Sequence, residues 1–308
     1  MFQTFKTLPQ MFTAFPTEQS AIDHLTAIRW ANGKFCPLCG NADEKKIGTL
    51  TGTNTHKCYT CRKRFSIKVG TIFQDTKLPL RTWYAAIWMI TNHPKGIAST
   101  TLATDLGITQ KTAWFVLHRL RHAAQTPSFN APLSGEVQID ETFVGGREHN
   151  KHASKKTSSK RGHGIENKTI VMGFVQRGGE VRASVIGDTR SGTLRRAVEQ
   201  NVAKGSKVYT DEWGGYNDLR HDYDHQRVSH RKGEYARGEV TTNAVESLWA
   251  LFKRQYHGTH HFISPKHMNA YLNEMTFRLN RRDLDKGQRV NDLLSQTEGP
   301  LPYKVLIA

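Results

Sequence analysis

Apolar side chains recur along this chain in two rhythms, one helical and one of period two. Trp83, Ala86, Ile87 and Ile90 keep helical spacing until Pro94-Lys95-Gly96 breaks the run, which predicts a helix ending there. Ser99 is placed to cap a second helix that stops at Gly107. Thr109 is placed to cap a third over about 110–122, with Lys111, Arg119 and Arg121 on its outside. A short helix, a glycine turn and a longer basic helix make the pattern of a helix-turn-helix DNA-binding domain over 77–125. A helical linker without DNA contact has the same pattern.

Beyond Pro127 and Pro132 the rhythm shortens to two. Strands are predicted over 135–144, 169–176 and 181–186, the last two joined by the turn Arg177-Gly178-Gly179-Glu180. A helix over about 193–201 follows, then the strand "SKVYTD" ending at Asp211 and a short helical piece leading into "DHQRVSH". "TTNAVESLWALFKRQY" is helical, with Val245, Leu248, Trp249, Phe252 and Tyr256 as its apolar side. A further amphipathic helix presents Met268, Tyr271, Leu272, Met275 and Leu279, a stripe read as core. The order β-β-β-α-β-α-β-α predicts a mixed sheet with helices, an α/β core of the ribonuclease H type over 133–283.

That pattern makes one strand odd. "GEVQIDETFVGG" carries Asp140 and Glu141 side by side in its middle. Neighbouring side chains on a strand point to opposite faces, so the two acids cannot serve one site as a simple pair. In the expected topology the first and fourth strands are neighbours, which brings Asp140 to Asp211. Glu246 supplies a third acid from the helix, with Asn243 one turn before it and Lys253 two turns after it on the same face. Hard oxygen ligands on separate elements suit a pair of Mg²⁺ or Mn²⁺ ions about 3.5–4 Å apart, which activate an attacking oxygen and stabilise a leaving one at a phosphodiester. Each acid alone reads as a turn former or a solvated helix residue; only the set carries the chemistry. Glu141, on the other face, is expected to be structural or to support the site.

The four cysteines, Cys36, Cys39, Cys58 and Cys61, form two C-x2-C pairs eighteen residues apart, the spacing of a zinc ribbon over 18–68. Two disulfides would require a secreted protein, and the N-terminal "MFQTFKTLPQMFTAFP" is broken by Lys and Pro. His56 would be a fifth ligand and is left out. Lys57, Arg62, Lys63 and Arg64 make the ribbon basic. The whole chain of 308 residues holds 44 Lys and Arg against 27 Asp and Glu, a formal charge of +17 that suggests a polyanionic partner. No apolar run approaches the roughly 18 residues of a membrane span. A cytoplasmic protein is expected, nucleoid-associated in a prokaryotic host. Seven Lys or Arg crowd the stretch 147–168, a solvated loop or a DNA-engaging one.

The ribbon together with "IDETFVGG", "YTDEWGGY", "TTNAVESLWALFKR" and "HGTHHFISPKHMNAYLNEMTFRLNRR" resembles the IS1595-type (ISXO2-like) insertion-sequence transposases, from about Ser20 to Arg282. The resemblance implies a DDE-type transposase with a zinc ribbon and a ribonuclease H-like core, acting on the element's terminal repeats and target DNA as a homo-oligomer. It implies Asp140 and Asp211 as catalytic acids and an Asn or Glu followed by a basic residue as the third group. Asn243 and Glu246 both match; the spacing to Lys253 favours Glu246. Many relatives carry a His where this chain has Thr241, two before Asn243, a departure that bears on activity. Two other readings stay open: a DNA-binding regulator with an inactive core, and a ribonuclease H-like nuclease without strand transfer.

Overall fold

The chain forms two units, one of residues 126–280 and one of the flanking segments 1–125 and 281–308. The computed structural model describes residues 4–125, 131–146, 152, 154, 168–229, 233–234 and 236–308.

In the unit built from the flanking segments, Thr7 and Thr17 cap α1 (Leu8–Ala14) and α2 (Glu18–Arg29), each hydroxyl accepting a first-turn N–H. The strands β1 (Ile47–Thr49), β2 (Thr55–Cys58) and β3 (Arg64–Ser66) make an antiparallel sheet in that order, with Cys58 and Cys61 where β2 turns into β3 and Cys36 and Cys39 at a turn ahead of β1. Helix α3 (Leu80–Asn92) has Leu80 and every residue from Trp83 to Thr91 buried. It is enclosed by α1, α2, α4 (Ser99–Leu106), α5 (Gln110–Ala123) and the helix Lys286–Ser295 that returns from the far end of the chain.

Between α4 and α5 the backbone turns at Gly107, whose φ of 63° lies in the left-handed region that glycine reaches without strain. Thr109 caps α5 by accepting the Thr112 N–H, as its position predicts. Two expectations are corrected here. Ala98, not Ser99, stands at the N-cap of α4, and the Ser99 hydroxyl accepts from the Gln110 side chain at 2.9 Å instead. Arg119 and Arg121 do not face outwards: both are buried, and Arg119 donates to the carbonyls of Ile72 and Gln74 at 2.8 and 2.9 Å. A guanidinium carries five donors, so it can tie down backbone acceptors that no helix or sheet uses, which spacing alone cannot foresee. Lys111 is exposed.

The other unit is organised by one five-stranded sheet: β4 (Glu136–Val144), β5 (Thr169–Gln176), β6 (Val181–Ile186), β7 (Lys207–Thr210) and β8 (Asp224–Arg227), in the order β6-β5-β4-β7-β8. β5 pairs antiparallel with β4 and β6, while β7 pairs parallel with β4 and β8. It is the mixed sheet that the element order predicts. Alternation decides its two faces. Val137, Ile139, Met172, Phe174 and Val208 meet α6 (Ser191–Asn201) and the 3₁₀ segment Gly214–His221 through Leu194, Val198, Tyr216 and Leu219. A small hairpin of β9 (Ala236–Arg237) and β10 (Val240–Thr241) leads into α7 (Asn243–Gln255). Val144, Val171 and Ala183, on the opposite face, meet α7 and α8 (Met268–Asn280) through Val245, Leu248, Trp249, Phe252, Leu272 and Met275. Buried Arg278 ties these helices together, donating to Glu274 and, at 2.9 Å, to Gln255.

Candidate active site and metal centre

β4 and β7 run parallel with Gln138 opposite Tyr209. Two residues further along come Asp140, on the face that α7 covers, and Asp211, one residue past the end of β7. Their charges reach each other: the Asp140 carboxyl is raised to about 7, first by burial and then by the negative charges of Glu141 and Asp211. The indole N–H of Trp249 donates to Asp140 Oδ2 at 3.0 Å. The backbone N–H of Trp213 donates to Asp211 Oδ1 at 2.9 Å, so the turn after β7 sets the direction of that carboxylate.

Glu141 leaves the strand on the opposite face, where the buried Tyr216 hydroxyl donates to it. Burial again is the first cause that raises the Glu141 carboxyl, with the Asp211 charge adding to it. The opposite-face reading holds for geometry, yet Glu141 is not electrically remote from the site.

Helix α7 is docked by Gln138, the residue two before Asp140 on the same face. Its buried side-chain oxygen accepts from Ala244 N at 2.9 Å and Val245 N at 3.4 Å, two of the donors that a helix start leaves without intrahelical partners. Glu246 stands exposed in the first turn and accepts from the Thr242 hydroxyl at 2.7 Å. Asn243 begins the helix and is exposed, with its N–H on the Thr241 hydroxyl at 3.1 Å; Lys253 is exposed in the last turn. Asp140 thus joins Asp211 and Glu141 in one electrostatic group, and α7 brings Glu246, Asn243 and Lys253 along its exposed side. By sequence Trp249 belongs to the apolar side of its helix, and Gln138 and Tyr216 carry no expected role. The polar atoms of an indole, an amide and a phenol at otherwise apolar positions are the signal that could have found them.

The cysteines converge. Cys36 and Cys61 sulfurs stand 3.9 Å apart and those of Cys39 and Cys58 3.8 Å apart. A tetrahedron with metal–sulfur bonds of about 2.3 Å has edges of about 3.8 Å, so the donor set fits zinc. Among the described residues these four form the only group of three or more His, Cys, Asp or Glu whose ligand atoms lie within 4.8 Å of one another; the acids do not gather that tightly. Backbone N–H groups of Cys61 and Thr60 draw the Cys58 thiol down to about 6. Cys39 is exposed and, despite an N–H from Asn41, is pushed up to about 12 by the desolvation and the hydrogen bonds that the neighbouring thiols impose. His56 is buried against the Thr49 hydroxyl at 3.1 Å and outside the cluster. After each pair's second cysteine the backbone is left-handed, at Gly40 (φ 72°) and Arg62 (φ 60°). Arg62, Lys63 and Arg64 are exposed around that second turn.

Residues 132–280 match the ISXO2-like transposase domain, and residues 16–64 match the transposase zinc-ribbon domain of the IS1595 group. The chain belongs to the IS1595 family of ISXO2-like transposases. The transposase domain therefore contains the sheet, α7 and all three acids, and the zinc-ribbon match contains the four cysteines. A relative described as an uncharacterized protein in transposable element ISH50 of Halobacterium salinarum is 28% identical over 273 residues, covering 86% of this chain and 91% of its own. The crystal structure of the Mos1 Strand Transfer Complex aligns over 69% of this chain and 75% of its own at 12% identity, with a TM-score of 0.28, a fit too loose to bear on the fold. No helix among the described residues is long and apolar enough to cross a membrane.

Proposed function

We propose that this chain is the DNA transposase of an insertion sequence, a DDE-type enzyme that binds the element's ends and carries out metal-dependent phosphodiester cleavage and strand transfer. What supports the reading is the parallel register of β4 and β7, with Asp211 just past the end of β7 and its charge, after burial and Glu141, opposing ionisation of the Asp140 carboxyl. Like charges left together where β7 ends beside the middle of β4 fit a cation that would offset them. The sheet order, with one antiparallel hairpin pair flanking a parallel trio, supports a ribonuclease H-like core.

Asp140, Asp211 and Glu246 would hold Mg²⁺ or Mn²⁺, which when bound activates the attacking oxygen and stabilises the leaving one. This chain's residues do the rest. The Trp213 N–H and the Trp249 indole would aim the two aspartates, the Thr242 hydroxyl would orient Glu246, and Lys253, exposed in the last turn of α7, would meet a DNA phosphate. Asn243 is the alternative third group. The ribbon's thiols would hold structural zinc, leaving no open position for chemistry. Its exposed Arg62, Lys63 and Arg64, with Lys111 on α5, would contact DNA, and recognition by the α4–α5 pair would rest on the start of α5, since Arg119 and Arg121 are buried.

Purified protein incubated with Mg²⁺ and duplexes ending in the element's terminal repeats should cleave at those ends and join them to a second DNA. Cleavage without joining would make it a nuclease, and binding without cleavage a regulator; either overturns the transposase reading.

A further inference from the structure

Trp249 is 4% exposed and reads as core, one of the apolar residues that hold α7 on the sheet. It has one feature that core packing does not require. Its indole N–H reaches across to Asp140 and donates at 3.0 Å. An apolar side chain of similar size would fill the same space without that bond.

The sheet is shaped to allow the reach. Gly173 on β5 is the residue paired with Asp140 on β4. A methyl group at Gly173 would stand 2.6 and 2.7 Å from two carbons of the Trp249 six-membered ring and 3.2 Å from Leu248, distances that require something to shift. A glycine inside a central strand weakens it and often marks a close approach of another group. Here the close approach is the indole, lying over the bare backbone beside Asp140 with its N–H aimed at the carboxylate.

We propose that Trp249 is a positioning residue for Asp140, with Gly173 providing the space that lets the indole reach the carboxylate. The inference rests on the reading of Asp140 as a metal-binding acid. A donor on one carboxylate oxygen fixes the direction of the group, and a charge-assisted N–H···O⁻ bond is a strong form of that contact. Groups that orient a metal ligand in this way affect affinity by about 10- to 100-fold when removed.

The test measures Mn²⁺ binding to the full-length protein by electron paramagnetic resonance, alongside cleavage as a function of Mg²⁺ and the melting temperature of each variant. Asp140→Asn comes first: wild-type Mn²⁺ affinity there would sink the metal-ligand reading itself. With that reading intact, Trp249→Phe keeps an aromatic ring but no donor, and should weaken Mn²⁺ binding by about 10-fold or more while the protein stays folded. Gly173→Ala should displace the indole and weaken binding similarly. Phe lacks the ring carbons nearest Gly173, so Trp249→Phe with Gly173→Ala should bind Mn²⁺ no worse than Trp249→Phe alone, a non-additive result. The added methyl also refills part of the space that the smaller ring leaves, so the double variant reads out the bond if the single one does not fold. Wild-type Mn²⁺ affinity in folded Trp249→Phe or in the double variant overturns the proposal for Trp249. Fully additive losses overturn the role given to Gly173.

Discussion

Asp140 is held at a cost to the fold, and the cost has a sign that can be checked. Its carboxyl is raised to about 7, against roughly 3.9 in an unfolded chain, so between those pH values the folded state binds the extra proton. Stability from this group is therefore greatest at low pH, falls as pH rises from about 4 to about 7, and stays lowered above that. Asp140→Asn removes the effect. Without metal the variant should match wild type at pH 4 and exceed it at pH 8, by up to about 4 kcal/mol at 1.36 kcal/mol per pH unit. Mg²⁺ should stabilise wild type at pH 8 and not the variant. Denaturant melts at both pH values decide it: a variant weaker than wild type at pH 8 would mean that fixed donors, not a cation, satisfy the charge. In cleavage and joining assays Asp140→Asn and Asp211→Asn should be inactive while DNA binding persists. Glu246→Gln should be nearly as damaging, Asn243→Ala milder, and Lys253→Ala should weaken DNA placement more than metal binding. Glu141→Gln, bonded to Tyr216 on the other face, should keep most activity. A dead Asn243→Ala beside an active Glu246→Gln would reverse the third assignment.

At the scale of elements, the ribbon offers the sharpest test. Four thiols at tetrahedral spacing leave no room for a fifth group, so metal bound there would be structural, and folding of the ribbon would be coupled to it. Reduced protein should contain one zinc per chain by elemental analysis, and Cys58→Ser should lose it together with DNA affinity while the sheet unit melts unchanged. Zinc retained by Cys58→Ser would show that the four cysteines do not act as one set. The ribbon, the strands and α7 were legible because their signals are local: cysteine spacing, period two, period 3.6. Strands β5 and β6 fall at the predicted bounds, and the adjacency of β4 and β7 follows from the order of elements. What was illegible depends on partners distant in sequence. Arg119 looks like an exposed base until Ile72 and Gln74 supply carbonyls for it, and Trp249 looks like core until Asp140 supplies an acceptor. The helix Lys286–Ser295, here α9, has Val290, Leu293 and Leu294 buried, too few apolar positions to announce itself beside a polar tail. The basic stretch 147–168 falls almost wholly outside the described residues.

The molecule as a whole carries +17, so its DNA affinity should fall steeply with salt, the slope of log affinity against log salt being about −0.9 per phosphate contact. Replacing Lys155, Lys156, Lys160 and Arg161 with Ala should flatten that slope without abolishing end recognition; an unchanged slope would remove this stretch from the interface. The chain's path makes a further demand. One unit is assembled from both ends of the sequence, so residues 281–308 belong to the fold of 1–125 although the transposase domain lies between them. Helix α9 packs against α3 and α2 and comes so close to the N-terminal segment that a methyl group at Gly287 would collide with the Phe5 carbonyl, a backbone atom that cannot swing aside. Gly287→Ala should therefore destabilise this unit by about 1–3 kcal/mol, as overpacking does. Deleting residues 284–308 should cost it more, because α3 then loses an apolar covering along its buried length. Neither change touches β4, β7 or α7, so calorimetry should show one transition moving down and the other staying in place. Both transitions moving together would mean that the two units unfold as one, and an unmoved scan that α9 contributes nothing to the unit it closes.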